Sequence, residues 1–270
     1  DGAHAYAAGT SDDAIAVFSR DATGALFFKQ MRQDGDAQQA GDMGPVAGLQ
    51  HPVGLAVDPV GTWLYSISIV DGSVDAFVRD AQGELQFRQR LQLADMVQAS
   101  AIAISGDGTS VYVAGKDAGG NPLMAAFAAT PTGLSTIATY PADPGAHNGL
   151  TGLDAAAGMA VTHDGTSVYV NGTLGIAMYA RDPNTGRLTL IDVLAKPDLG
   201  AGILATGHLA VSPDDGYVYA AVGQGLLILK RDAATGALKV AGTLADGGTD
   251  ALGRAVTGLA GADSVVLSPE

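Results

Sequence analysis

The residues with the most chemistry to offer stand at matching places in a recurring pattern. His51 comes just before the apolar run Pro52-Val53-Gly54-Leu55, and His208 opens the run Leu209-Ala210-Val211. Aligning such runs makes His51, Gln98, Ala155, Ala205 and Gly261 equivalent. Three residues on come Gly54, Ala101, Gly158, His208 and Ser264, with Asp263 just before the last. His147, Asp143 and Asp154 fall in one long connection and Arg254 in another. Imidazoles beside carboxylates can bind a divalent cation or act as acid and base. The candidate ligand-binding set is therefore His51, Gln98, His147, His208 and Asp263. The competing reading makes the two histidines hydrogen-bonded strand ends, since the other aligned positions are mostly Gly, Ala and Gln.

Two acidic, Gly-rich loops add a metal possibility. Asp34-Gly35-Asp36 and Asp246-Gly247-Gly248-Thr249-Asp250 offer the oxygen ligands that calcium prefers. Neither has EF-hand spacing. No cofactor is expected, with calcium at Asp34, Asp36, Asp246 and Asp250 the one alternative. There is no phosphate-binding Gly-x-x-x-x-Gly-Lys loop and no Gly-x-Ser-x-Gly elbow.

Composition narrows the partners. With 14 Lys+Arg against 28 Asp+Glu the formal net charge is -14, so a phosphate backbone is a poor partner. The absence of Cys removes disulfides and thiolate metal sites. No apolar run reaches the roughly 18 residues of a membrane span, so no membrane insertion is expected. A hydrophobic content of 47% with 16% charged residues is enough to build a core.

These residues must be held by repeating elements. A turn followed by Tyr recurs at Tyr6, Tyr65, Tyr112, Tyr169 and Tyr219; examples are Asp107-Gly108-Thr109-Ser110-Val111-Tyr112 and Asp215-Gly216-Tyr217-Val218-Tyr219. A second motif follows each copy: Arg20-Asp21-Ala22-Thr23-Gly24, Arg79-Asp80-Ala81-Gln82-Gly83, Arg181-Asp182 to Gly186, and Arg231-Asp232 to Gly236. The third copy keeps only Thr132-Gly133-Leu134. Their acidic residues read as turn formers rather than catalysts.

Each repeat reads as four short strands, and four strands per 40–50 residues is the arithmetic of a β-propeller blade. The expected fold is all-β: one domain, 1–270, of five four-stranded blades. The blades span about 1–52, 53–99, 100–157, 158–207 and 208–263, with a closing strand 264–268 that pairs with the N-terminal blade. A start at Asp1 suggests processing, trimming or excision of what precedes it. The long connections, such as Arg32–Val53 and Ala245–Asp263, all fall on one face, where function concentrates.

Segments such as HPVGLAVDPVGTWLYSIS, AVSPDDGYVYAAV and KRDAATGALKVAGTL resemble the repeats of lactonase-type, YVTN-like β-propeller proteins, a group that includes 6-phosphogluconolactonase-like enzymes. The resemblance covers the whole chain. It implies the fold more sharply than the activity. As a lactonase, the chain would use His51 or His208 as base and Arg254 as electrostatic stabiliser. The enzymes of the group usually have seven blades and carry more Arg, His and Glu around the channel mouth. The expectation is therefore a non-catalytic, exported module, whether secreted, periplasmic or on the cell surface. It would bind a protein or carbohydrate partner through the long-loop face for adhesion or scaffolding. The alternatives are a lactonase-like hydrolase and an accessory subunit of a larger complex.

Overall fold

The computed structural model describes residues 2–93, 95–141, 156–172, 175–199 and 207–268. It is all-β. The first sheet holds β1 (His4–Gly9), β2 (Ala14–Arg20) and β3 (Leu26–Gln33). The second holds β4 (Pro52–Val57), β5 (Trp63–Ser68), β6 (Ser73–Arg79) and β7 (Leu85–Gln92). The third holds β8 (Gln98–Ile104), β9 (Ser110–Lys116), β10 (Pro122–Thr130) and β11 (Gly133–Pro141). The fourth holds β12 (Gly158–Val161), β13 (Ser167–Gly172), β14 (Gly175–Arg181) and β15 (Leu188–Ala195). The fifth holds β16 (Leu209–Val211), β17 (Tyr217–Ala221), β18 (Gly225–Arg231) and β19 (Leu238–Ala245). Every sheet is an antiparallel meander in chain order, which is the β-propeller blade the repeats predict.

Register explains the repeats. The motif Tyr sits opposite a small residue of the inner strand: Ala56 faces Tyr65, Ala103 faces Tyr112, Ala160 faces Tyr169 and Ala210 faces Tyr219. Middle strands such as β6 and β13 are buried on both faces. Their near-continuous apolar sequence follows from that.

By compactness the chain parts into Asp1–Gly120 with Phe127–Thr136, and Asn121–Ala126 with Ile137–Glu270. In the first unit, Ile15, Val17, Val46, Leu49, Leu64, Phe77, Leu85 and Phe87 form one buried cluster joining the first two sheets. There the Tyr6 hydroxyl donates to the Gly83 carbonyl at 2.7 Å, and Arg79 Nε donates to Tyr6 Oη at 2.6 Å. In the second unit, Tyr169 and Ile176 pack with Val218, Leu227 and Leu229. The same clamp recurs there. Tyr169 donates to Gly236, and Arg231 donates to Tyr169, Asp164, Thr166 and Ser167. The Tyr of one repeat and the Arg-Asp…Gly turn of the next thus form one joint between sheets.

Two details depart from the sequence reading. The turn in the fifth sheet aligns one residue earlier than expected. Ser212 and Asp214 make the bonds that Thr162 and Asp164 make, so Asp215 stands where other copies have Gly108 and Gly165. Its φ of 55° matches theirs of 69° and 67°. Asp is one of the few residues that tolerate this left-handed region. The second departure is at Ser264–Ser268, which forms no ladder among the described residues. The physical reason is local: Asp263 O accepts from His208 N and Ala262 O from Gly223 N, which lays this segment alongside β16.

Candidate functional site

In the first unit, the loop leading into β4 is held in an unusual way. Four consecutive backbone amides donate to three carboxylates. Gly48 and Leu49 donate to Asp34 (2.8 and 3.1 Å), Gln50 to Asp71 (2.8 Å) and His51 to Asp13 (2.8 Å). Asp71 is also ion-paired with Arg90 at 2.9 Å. Thr10 secures the next residue through the Pro52 carbonyl.

The loop presents His51 in a strained conformation. Its φ is 55°, and that of Asp13 is 53°. Left-handed non-Gly residues cost about 1 kcal/mol or more and concentrate at functional sites. The His51 ring is half-exposed, with Nδ1 3.5 Å from the Asp13 carboxylate. A carboxylate at Nδ1 orients the ring and leaves Nε2 open to a water or substrate.

Behind the loop lies Asp75 on β6, fully buried. Ser73 Oγ donates to one carboxyl oxygen at 3.3 Å, and the other has no partner among the described residues. Burial pushes this carboxyl well above the usual range; Arg90 and Ser73 oppose that shift, whereas Asp71 and Asp34 add to it. Gly48, at φ 97°, must be Gly, because a Cβ there would overlap the Asp75 carboxyl.

The other expected residues fare differently. Gln98 opens β8 and is exposed. His147 lies outside the described residues. His208 and Asp263 meet only through the backbone, by a 2.8 Å bond, and both side chains' residues are solvent-accessible. Arg254 is ion-paired at 2.6 Å with Asp250, which also accepts the Leu252 and Arg254 amides. It therefore closes its own turn. In the proposed calcium loops, Asp34 holds the amides above, Asp36 accepts Gln33 N and Asp246 accepts Leu259 N. Among the described residues no three His, Asp or Glu converge as metal ligands.

Sequence reasoning missed Asp13 as the partner of His51, and missed a second imidazole pair altogether. In the second unit, His163 Nδ1 lies 2.9 Å from Asp215 Oδ1, which also accepts His163 N; Asp215 Oδ2 accepts Asp164 N. The available signal was an Asp in a position otherwise kept for Gly.

No protein-family model and no curated protein sequence matches the chain. Solved structures do. A candidate 6-phosphogluconolactonase from Bacteroides uniformis superposes with a TM-score of 0.68 at 20% identity, over 91% of this chain and 69% of that one. Another from Bacteroides fragilis gives 0.69 at 19%, over 91% and 68%. The periplasmic gluconolactonase PpgL of Pseudomonas aeruginosa gives 0.63 at 19%, over 86% and 63%. This likeness corrects the expectation of a non-catalytic scaffold: these three solved propellers carry lactonase names. At such identities the likeness establishes one thing about this chain, its β-propeller fold.

Proposed function

We propose that the chain is a lactonase-like hydrolase of the YVTN-like propeller type, acting from the periplasm or another exported location. The observation that carries the reading is the Asp13–His51 pair, two left-handed residues held by a loop whose amides are all engaged. In this scheme His51 Nε2 takes a proton from water as the oxygen attacks the lactone carbonyl. The ring C–O bond then breaks, and the proton passes to the leaving alkoxide, giving a hydroxy acid. Asp13 holds the ring orientation and stabilises the imidazolium. The periplasmic location draws on the one neighbour named as periplasmic.

The test is hydrolysis of a panel of sugar lactones with pH-stat detection. His51→Ala is expected to lower kcat/KM by about 10²-fold or more, the usual scale for a general base. Asp13→Asn should lower it less, with a fold that circular dichroism finds unchanged. A wild-type chain that turns over no lactone in the panel sinks the proposal.

A further inference from the structure

The surface beside His51 is apolar at positions where its repeats are polar. The turn between β5 and β6 is Ile69-Val70-Asp71-Gly72. Its counterpart is Thr10-Ser11-Asp12-Asp13 in the first sheet and Asp117-Ala118-Gly119-Gly120-Asn121 in the third. The fifth sheet has Val222-Gly223-Gln224 there, with Val222 buried. Turns favour Gly, Asn, Asp and Ser, which supply positive φ or bond their own backbone. Two adjacent β-branched residues therefore do nothing for the turn. Ile69 and Val70 are 37% and 53% exposed, so they do little for the core either.

Two more positions show the same exchange. β4 and β8 each bulge near their start, and the residue left out of register is Val53 in β4 but Ser100 in β8. The residue before His51 is Gln50, whereas the one before its equivalent Gln98 is Val97. Val53 and Val97 are exposed as well. The backbone ties all four residues to His51. Ile69 N donates to the His51 carbonyl at 3.1 Å. Pro52 pairs with Ser68, so Val53 and Ile69 flank that pair. A Cβ on Gly72 would overlap the Met96 carbonyl, so the chain at Met96-Val97 rests on the same turn. Exposed apolar residues scattered singly need no explanation, but a group leading away from a candidate base does. The whole group belongs to the first unit.

The charges around the ring are acidic. Asp13 lies 3.5 Å from Nδ1, and Asp71 stands in the apolar turn itself. The guanidinium bonded there, Arg90, is already engaged by Asp71 at 2.9 Å and by Gln92 at 3.0 Å. An anionic substituent arriving beside His51 meets like charge, which opposes binding. A hydrocarbon substituent meets Val and Ile side chains, and covering them removes apolar surface from water.

We propose that Val53, Ile69, Val70 and Val97 seat the hydrocarbon substituent of a neutral lactone whose ring lies at His51 Nε2. The inference rests on the hydrolase reading and names its substrate class. That class is an uncharged lactone bearing an apolar chain, in preference to a phosphorylated or otherwise anionic one. The chain is remote from the reacting carbonyl and is held equally in ground and transition states. Its contacts therefore act on KM more than on kcat.

The experiment measures steady-state hydrolysis of γ-lactones carrying no substituent, a propyl chain or a hexyl chain, beside a neutral sugar lactone and its phosphorylated form. From the bare ring to the hexyl lactone, KM should fall by about 10-fold, with kcat changing little. The phosphorylated lactone should be hydrolysed about 10-fold less efficiently than its neutral counterpart. Val70→Asp and Val97→Gln should each flatten the chain-length series by about 5-fold. Both sites are exposed, so circular dichroism should find both variants folded. Turnover that ignores chain length, or that favours the phosphorylated lactone, overturns this inference and leaves the hydrolase reading standing. A series that both variants leave as steep as wild type also overturns it. Absence of turnover on every member sinks the hydrolase reading and this inference with it.

Discussion

The joint between the fourth and fifth sheets and the joint between the second and third sheets use the same Tyr position with opposite results. At the first, Tyr169 gives its hydroxyl hydrogen to Gly236 and receives Arg231. At the second, Tyr65 is as deeply buried, but its hydroxyl has no partner among the described residues. The cause is readable in the neighbouring repeat. Ala129 donates its amide to Thr109 just as Arg231 does to Gly216, so Ala129 occupies the Arg position. The third repeat lost its Arg-Asp, and Tyr65 was left facing an alanine. Burial, with the Asp58 charge adding to it, pushes the Tyr65 hydroxyl above the usual phenol range. Gln89 compensates in part, bonding both backbone groups of Leu134 across that seam. A propeller seam therefore tolerates loss of half a joint when a second contact holds the register.

Substitutions can break or sharpen this contrast. The largest effect is expected for Arg231→Ala, which strips hydrogen bonds from a buried Tyr and removes a packed stem. Chemical denaturation should find a loss of about 3 kcal/mol. Ala129 is already the truncated state, so Ala129→Arg should act in the opposite sense. Next comes Tyr65→Phe, which removes an unsatisfied buried hydroxyl. It should be neutral or stabilise by about 1 kcal/mol, whereas Tyr169→Phe should destabilise by about 1–2 kcal/mol. If Tyr65→Phe cost as much as Tyr169→Phe, the difference between the seams would vanish.

The third prediction concerns pH. Asp75 has its folded-state pKa raised, so the folded chain holds this proton more tightly than the unfolded chain does. Its contribution is fully present below the ordinary carboxylate range and is lost as pH rises toward the folded value. Asp75→Asn should therefore raise the melting temperature at neutral pH and change it little near pH 3. Asp164 runs the other way. Burial disfavours its charge, but bonds from Thr162 and Thr166 and the Arg231 guanidinium prevail, lowering it to about 2. Its contribution is present above about pH 4 and fades as pH falls toward 2. The fourth-to-fifth joint should thus loosen in acid before the second-to-third joint does. The smallest effect is expected for Asp215→Gly. It relieves a left-handed residue but gives up the bonds to His163 and Asp164, so a net change under about 1 kcal/mol should appear in thermal denaturation.

The strands were legible because repetition multiplies a weak signal. One Asp-Gly-x-x-x-Tyr means little, but its recurrence fixes both register and turn. His51 was also legible, as an imidazole at a strand entrance. Its partner was not, since Asp13 lies 38 residues away in a turn that reads as ordinary. The buried carboxyl of Asp75 was hidden for a similar reason. It sits among the apolar residues of β6 with only a Ser two positions away to mark it. The turn at Asp214-Asp215 was misaligned because a Gly neighbour imitates the Asp-Gly pair, and only the hydrogen bonds of Ser212 decide between them.

The loop before β4 has a consequence for hydrogen exchange. Amides in loops usually trade their protons with water freely, while those in ladders wait for an opening event. Here Gly48, Leu49, Gln50 and His51 all donate to side-chain carboxylates. Deuterium should enter these four positions on the timescale of strand amides. It should enter them together, since releasing one means lifting the segment off its carboxylates. In an exchange map, this loop would appear as a strand that belongs to no sheet.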